Sequence, residues 1–217
     1  MSHRLIRLCM LAGLALMCGC NYVVGLGYLI GGPPTIEPDF DRMTNKSLSD
    51  KDVTVAVVCY APTELKWDNA EVDREIAEFV TWRLHEHKIK VRRPEQVRAW
   101  IDANPDWDKP EEIGKGVEVT HVVFIDLSKF SLYEPDASHL YRGRAEAIVN
   151  VVSQREDGEW DEIYVKEHIS VYPLAIARPT SQESFGTFKR KYLDRLSDEI
   201  GRLFYEYHNG DDLPDVT

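Results

Sequence analysis

The chain has 217 residues, with 26 Lys and Arg against 37 Asp and Glu and a formal net charge of −11. That acid excess argues against a nucleic-acid partner, which needs a basic footprint, and against direct electrostatic docking on anionic lipid. Only four cysteines are present, so the fold must rest on its core and not on a disulfide framework.

The chain opens with MSHRLIRLCMLAGLALMCGC, in which His3, Arg4 and Arg7 form a positive head and residues 8–17 a short apolar run. Gly19 supplies the small residue that a signal peptidase needs beside its cut, and Cys20 follows it. The positions Met17, Cys18, Gly19 and Cys20 resemble the lipoprotein signal family, whose pattern is an aliphatic residue, one or two small residues, then cysteine. The resemblance implies lipidation at Cys20. It favours Cys20 over Cys18, which would place bulky Met17 beside the cleavage site. The expected division is a signal peptide over 1–19, a lipid-anchored tether over 20–51, an α/β domain over 52–208 and a tail over 209–217. Loss of Arg4 and Arg7 with the leader takes the formal charge from −11 to −13. Two other readings stay open, an ordinary cleaved leader without lipid and an uncleaved membrane helix. From 8 to 32 the only clearly polar side chain is Asn21, and about 20 apolar residues suffice for a span. Against the span stand six glycines in that stretch, which weaken a helix.

Residues 21–32 (NYVVGLGYLIGG) are apolar and glycine-rich, and the polar, proline-bearing stretch after them completes the tether. Residues 53–60 form an apolar run of the kind buried on both faces of a sheet. After a loop over 61–68, Asp68 and Glu71 make a capping box for a helix to about residue 87, with Val72, Ile76, Phe79, Val80 and Leu84 on one face. Residues 88–92 (KIKVR) alternate like a short strand. Pro94 opens a helix to about 103, and Pro110 a short one ended by Gly114 and Gly116. Strands over 121–133, 141–155 and 160–172 follow, the last two joined at Asp157-Gly158, a strong hairpin signal. Thr180 with Glu183 is read as a second capping box, opening a helix to about 208 that is closed by Asn209-Gly210. The resulting order is βαβα, a short helix, βββ, then α. It predicts an α/β sandwich on a mixed sheet with an antiparallel C-terminal meander.

Residues 119–130 (VTHVVFIDLSKF) resemble the third strand of the domain shared by the curli-secretion lipoprotein and the amino-terminal part of the Tol-system periplasmic protein, often written ADYVVVGEVTEF. Residues 141–160 are similar to that family's next two strands, including the Asp157-Gly158 turn and Trp160. Thr120 stands in place of the family's acid and Ile125 in place of its glycine, and no insertion is long enough to build a transmembrane pore strand. The resemblance implies an envelope adaptor or assembly component without catalysis, and it is a match of fold, not of site.

No catalytic, cofactor or metal residue is nominated. His85 and His87, two apart on a helix, point about 200° from each other and cannot share one ion. His121, His139, His168 and His208 fall in separate elements. Cys59, in an apolar strand, reads as a buried thiol. Asp126 and Glu146 are weighed as an acid pair, with solvent-facing carboxylates the plainer reading. The alternation of Arg142, Arg144 and Glu146 marks a wet or partner-facing strand face. Trp67 and Trp107, placed in loops, are candidate partner anchors. The expected protein is therefore a lipoprotein of the bacterial cell envelope, facing the periplasm or the cell exterior. Its partners are the membrane, through the anchor, and an envelope protein or cell-wall component, with the oligomeric state open. The alternative is a small-molecule-binding or hydrolytic domain with a pocket at the carboxyl end of the first strand, around 60–67.

Overall fold

The computed structural model of the protein describes residues 34–208. In chain order these form β1 (Thr35–Ile36), α1 (Asp39–Thr44), β2 (Val55–Tyr60), α2 (Thr63–Lys66), α3 (Val72–Glu86), α4 (Pro94–Ala103), α5 (Pro110–Gly116), β3 (His121–Glu134), β4 (Ala137–Gln154), β5 (Trp160–Tyr172), β6 (Arg178–Pro179), α6 (Phe185–Gly201) and β7 (Tyr207–His208). Alternation along the three long strands builds one mixed sheet in the order β2-β3-β4-β5. Strand β2 runs parallel to β3, and the other neighbours are antiparallel. Where β5 ends, β6 takes over its line by pairing with Leu140 and Tyr141 of β4. The fold is the expected α/β sandwich with an antiparallel meander.

Period-2 geometry sends alternate side chains to opposite faces, and each face has its own core. Val55, Val57, Cys59, Val123, Ile125, Leu127, Ala147 and Val149 lie on one side, under α3 and α6. Ala56, Val58, Val122 and Val152 lie on the other, under α4 and α5. These two short helices reach only part of their face. Ile148, Val165 and Ile169, on β4 and β5, stay exposed on it. Gly143 is required by packing, because the Tyr192 ring of α6 occupies the space a β-carbon would need.

Several boundaries differ from the expected ones. Glu71 caps α3 without a side-chain bond, and Asp68 takes no part. The preceding residues form the separate turn α2, whose Lys66 reaches forward to pair with Asp73. Residues 88–92 contribute a single bridge, Val91 to Val55, because the chain turns at Pro94 into α4. Ser184, not Thr180, caps α6, accepting from the Thr187 N–H, while the Thr180 N–H bonds to the His139 carbonyl and extends the β6 pairing. Helix α6 stops at Gly201, and Phe204 and Tyr205 bury themselves in a turn beyond it. The pair Asn209-Gly210 lies outside the described residues, as do the leader, Cys20 and the tail.

The described part of the expected tether, 34–51, packs onto the body. Phe40 and Leu48 are fully buried, with the Phe40 ring against Tyr164 (5.5 Å) and Phe204 (5.7 Å). Strand β1 pairs antiparallel with β7, Thr35 opposite His208 and Ile36 opposite Tyr207. Among the described residues no helix is long and apolar enough to cross a membrane.

Candidate docking site

Strand β2 is buried on both faces yet stands at the edge of the sheet. Its first residue is covered: the Val55 N–H donates to the Lys90 carbonyl (2.9 Å), and its carbonyl accepts from the Arg92 N–H (2.7 Å). In a strand, residues two apart aim their backbone groups the same way, so Val57 and Cys59 point theirs outward as well. Beyond residue 92 the chain leaves for α4, and among the described residues no strand lies alongside Val57 and Cys59. Two N–H and two C=O groups in strand geometry therefore form the floor of a groove, an arrangement natural sheets ordinarily cover.

The groove has a volume of about 340 Å³ and is walled by α3 (Asp73, Arg74, Ala77) and α4 (Val97, Arg98, Ile101). Several of its charges are paired, while Glu95 adds a further carboxylate to the lining. Arg74 lies 3.5 Å from Glu78, Arg98 2.9 Å from Asp102, and Asp73 is paired with Lys66. Between these paired charges lies the backbone edge of β2, flanked by apolar side chains. The Cys59 thiol faces the α3 side, and burial pushes its pKa far up, so it is an inert packing group. This groove sits lower on β2 than the pocket expected around 60–67. There Tyr60 and Trp67 are simply exposed side chains.

The other sequence candidates are not brought together into chemistry. Asp126 lies opposite Ile148, whereas Glu146 faces Lys129, whose ammonium is 2.9 Å from its carboxylate. His85 is exposed, and His87 stacks on Tyr205 at 3.5 Å. His121 is buried, which lowers its pKa to about 4. His168 lies 3.4 Å from Glu199 between β5 and α6. Burial works to raise the Glu199 carboxyl, but the polar groups of His168 and Ser170 beside it and the Arg195 guanidinium, which donates to it at 2.6 Å, outweigh burial and hold the group below its ordinary value. That cluster locks α6 to the sheet. Among the described residues no three acid, histidine or cysteine side chains gather as a metal site. Trp67 is exposed as expected, but Trp107 is half-buried and meets Phe124 edge-on at 6.1 Å; the second exposed indole is Trp82, on α3. Arg142 and Arg144 both pair with Glu134, at 2.8 and 2.9 Å.

No protein-family profile and no curated protein matches the chain. Among solved structures, the PelC dodecamer from Paraburkholderia phytofirmans overlaps with a TM-score of 0.41 at 8% identity, covering 76% of this chain and 96% of that one. The hypothetical protein CT253 from Chlamydia trachomatis gives 0.39 at 15% identity, covering 70% and 98%. Lipoprotein GNA1162 from Neisseria meningitidis gives 0.40 at 12% identity, covering 68% and 94%. At these TM-scores the likeness is loose.

Proposed function

We propose that the protein is a lipoprotein of the bacterial cell envelope, held on a membrane through Cys20, whose α/β domain works without catalysis as an adaptor or assembly component. The leader ending in Gly19-Cys20 supports the anchor. The open β2 edge supports the docking role and carries the reading. Four unpaired backbone groups between two helices match the main chain of an extended segment of a partner protein, which would join the sheet as a further strand. Val57, Ala77, Val97 and Ile101 between the charged residues of the walls fit a segment with small or apolar side chains at its centre.

The anchor is tested by labelling cells with a fatty-acid analogue, where Cys20→Ala is expected to abolish the label. The groove is tested with a photo-crosslinking residue at Arg98, on the groove wall, and a control at Glu162, on exposed β5. The expected outcome is an envelope-protein adduct from position 98 alone, lost when Ala99→Trp fills the groove from the exposed side of α4. An adduct indifferent to Ala99→Trp would remove the groove from the reading.

A further inference from the structure

At the end of the sheet where β5 gives way to β6, residues 173–177 (PLAIA) lift Leu174 and Ile176 into solvent, 70% and 81% exposed. Tyr133 and Phe185 lie at the same end, their rings stacked 6.0 Å apart and each more than a third exposed. Between the loop and β4 is a hollow of about 840 Å³, lined by Leu140, Arg142, Pro173 and Arg178 among others. Two arginines hold the loop in this raised position. Arg142 donates to the Ala175 carbonyl (3.3 Å), and Arg178 donates to the Tyr172 hydroxyl (3.1 Å) with its guanidinium 5.6 Å from that ring. Arg142 is also paired with Glu134 (2.8 Å), which lines the same hollow, whereas the Arg178 guanidinium, with five N–H donors, keeps donors to spare beside it.

Arg142 and Arg144 pair with Glu134, and Lys191 with Glu183, whereas Arg178 rests on the Tyr172 ring and hydroxyl, in a chain of net charge −11. Exposed aliphatic tips, aromatic rings behind them and arginines at their flank match the layering of a membrane interface. There acyl chains take Leu and Ile, and the headgroup level takes Tyr and Arg.

The anchor brings this end within reach. Ile36 and His168 line one hollow, and His168 precedes Tyr172 by four residues of β5, about 14 Å. The chain between Cys20 and Pro34 can extend at most about 50 Å. A lipid on Cys20 and the 173–177 loop can therefore meet the same surface.

We propose that this loop is a membrane-docking tip, with Leu174 and Ile176 entering the interfacial layer of the bilayer that holds the Cys20 anchor and Arg178 facing lipid phosphates. The inference rests on the lipoprotein reading. It adds an orientation, in which the sheet stands on this end and the β2 edge opens sideways along the membrane.

The test uses the full-length, processed protein on vesicles of phosphatidylethanolamine with phosphatidylglycerol. A polarity-sensitive fluorophore is placed by Leu174→Cys or Ile176→Cys, with Glu156→Cys, in the turn at the opposite end of the sheet, as control. Labels at 174 and 176 are expected to shift to the blue and to be quenched by nitroxide lipids, while the label at 156 stays wet. With the label at 174, Ile176→Asp is expected to lower the ratio of docked to undocked protein roughly tenfold, the effect of losing one buried aliphatic side chain. Protein that floats with the vesicles while all three labels stay wet overturns the docking tip and leaves the anchor standing. Protein that carries no fatty acid and does not float overturns both. Labels wet on pure lipid but shielded in native envelopes assign the loop to a protein partner, which overturns the lipid reading.

Discussion

Phe40→Ala probes how far the folded body reaches toward the proposed anchor at Cys20. Phe40 is fully buried, and its ring packs edge-on against Tyr164 and at a tilt on Phe204. Helix α1, which carries it, is also fastened by Asp39. That carboxylate accepts from the Tyr164 hydroxyl (2.9 Å) and pairs with Lys166 (3.0 Å). Removing a buried phenyl ring costs about 3–5 kcal/mol, the lost transfer energy plus the cavity left beside the Tyr164 and Phe204 rings. At about 2–4 °C per kcal/mol for a domain of this size, the melting temperature should fall by about 6–20 °C. Thermal and urea unfolding followed by circular dichroism reads the change, with Met43→Ala, at an exposed position of the same helix, as the control. A loss below about 1 kcal/mol, the range of ordinary surface changes, would refute the packing of residues 34–51 as part of the folded unit.

Two further outcomes follow from the packing. Gly143→Ala should cost about 1–3 kcal/mol, because the added methyl must displace the fully buried Tyr192 ring, and a neutral result in a thermal melt would refute that contact. His121 should make stability fall in mild acid. Above pH 6.5 it is neutral folded or unfolded; between 6.5 and about 4 the unfolded chain takes the proton that the buried ring refuses, so folding loses up to ~3 kcal/mol as the pH drops through that window. Urea midpoints at pH 7 and 4.5 should therefore converge more closely in His121→Gln than in the parent, and an equal acid loss in both would count against it.

The long strands were legible because each carries its own signal. Alternation marks β3 and β4, and Asp157-Gly158 places the turn into β5, where Gly158 adopts φ +88°. Prolines 94 and 110 likewise marked α4 and α5. Capping boxes misled because a Thr or Asp three residues before a Glu also suits a turn or an edge pairing, as Thr180 and Asp68 show. The stripe Leu196, Ile200, Leu203, Tyr207 kept helical spacing past the real end of α6 because burial is satisfied equally by a turn that folds Phe204 and Tyr205 inward. Phe40 and Leu48 gave too short a pattern to betray a core contact made with residues far along the chain. The groove was hidden for a related reason. Periodicity tells which faces of a strand are covered, not which neighbours flank it, and the wholly apolar β2 reads as an inner strand although it lies at the edge.

The pairing of β1 with β7 has a mechanical consequence. In the proposed anchored state a pull from Cys20 would enter at Thr35, next to α1 and the β5 side of the sheet, whereas the proposed partner strand on β2 would hold the opposite edge. Tension between the two then runs across the strands and is shared by the ladders of β3, β4 and β5, which are 13 to 18 residues long. The shortest pairing in that load path is the two-residue ribbon, with the buried Phe40 behind it. Under strain the chain should release from that end first, lengthening the reach of the anchor while the sheet stays whole.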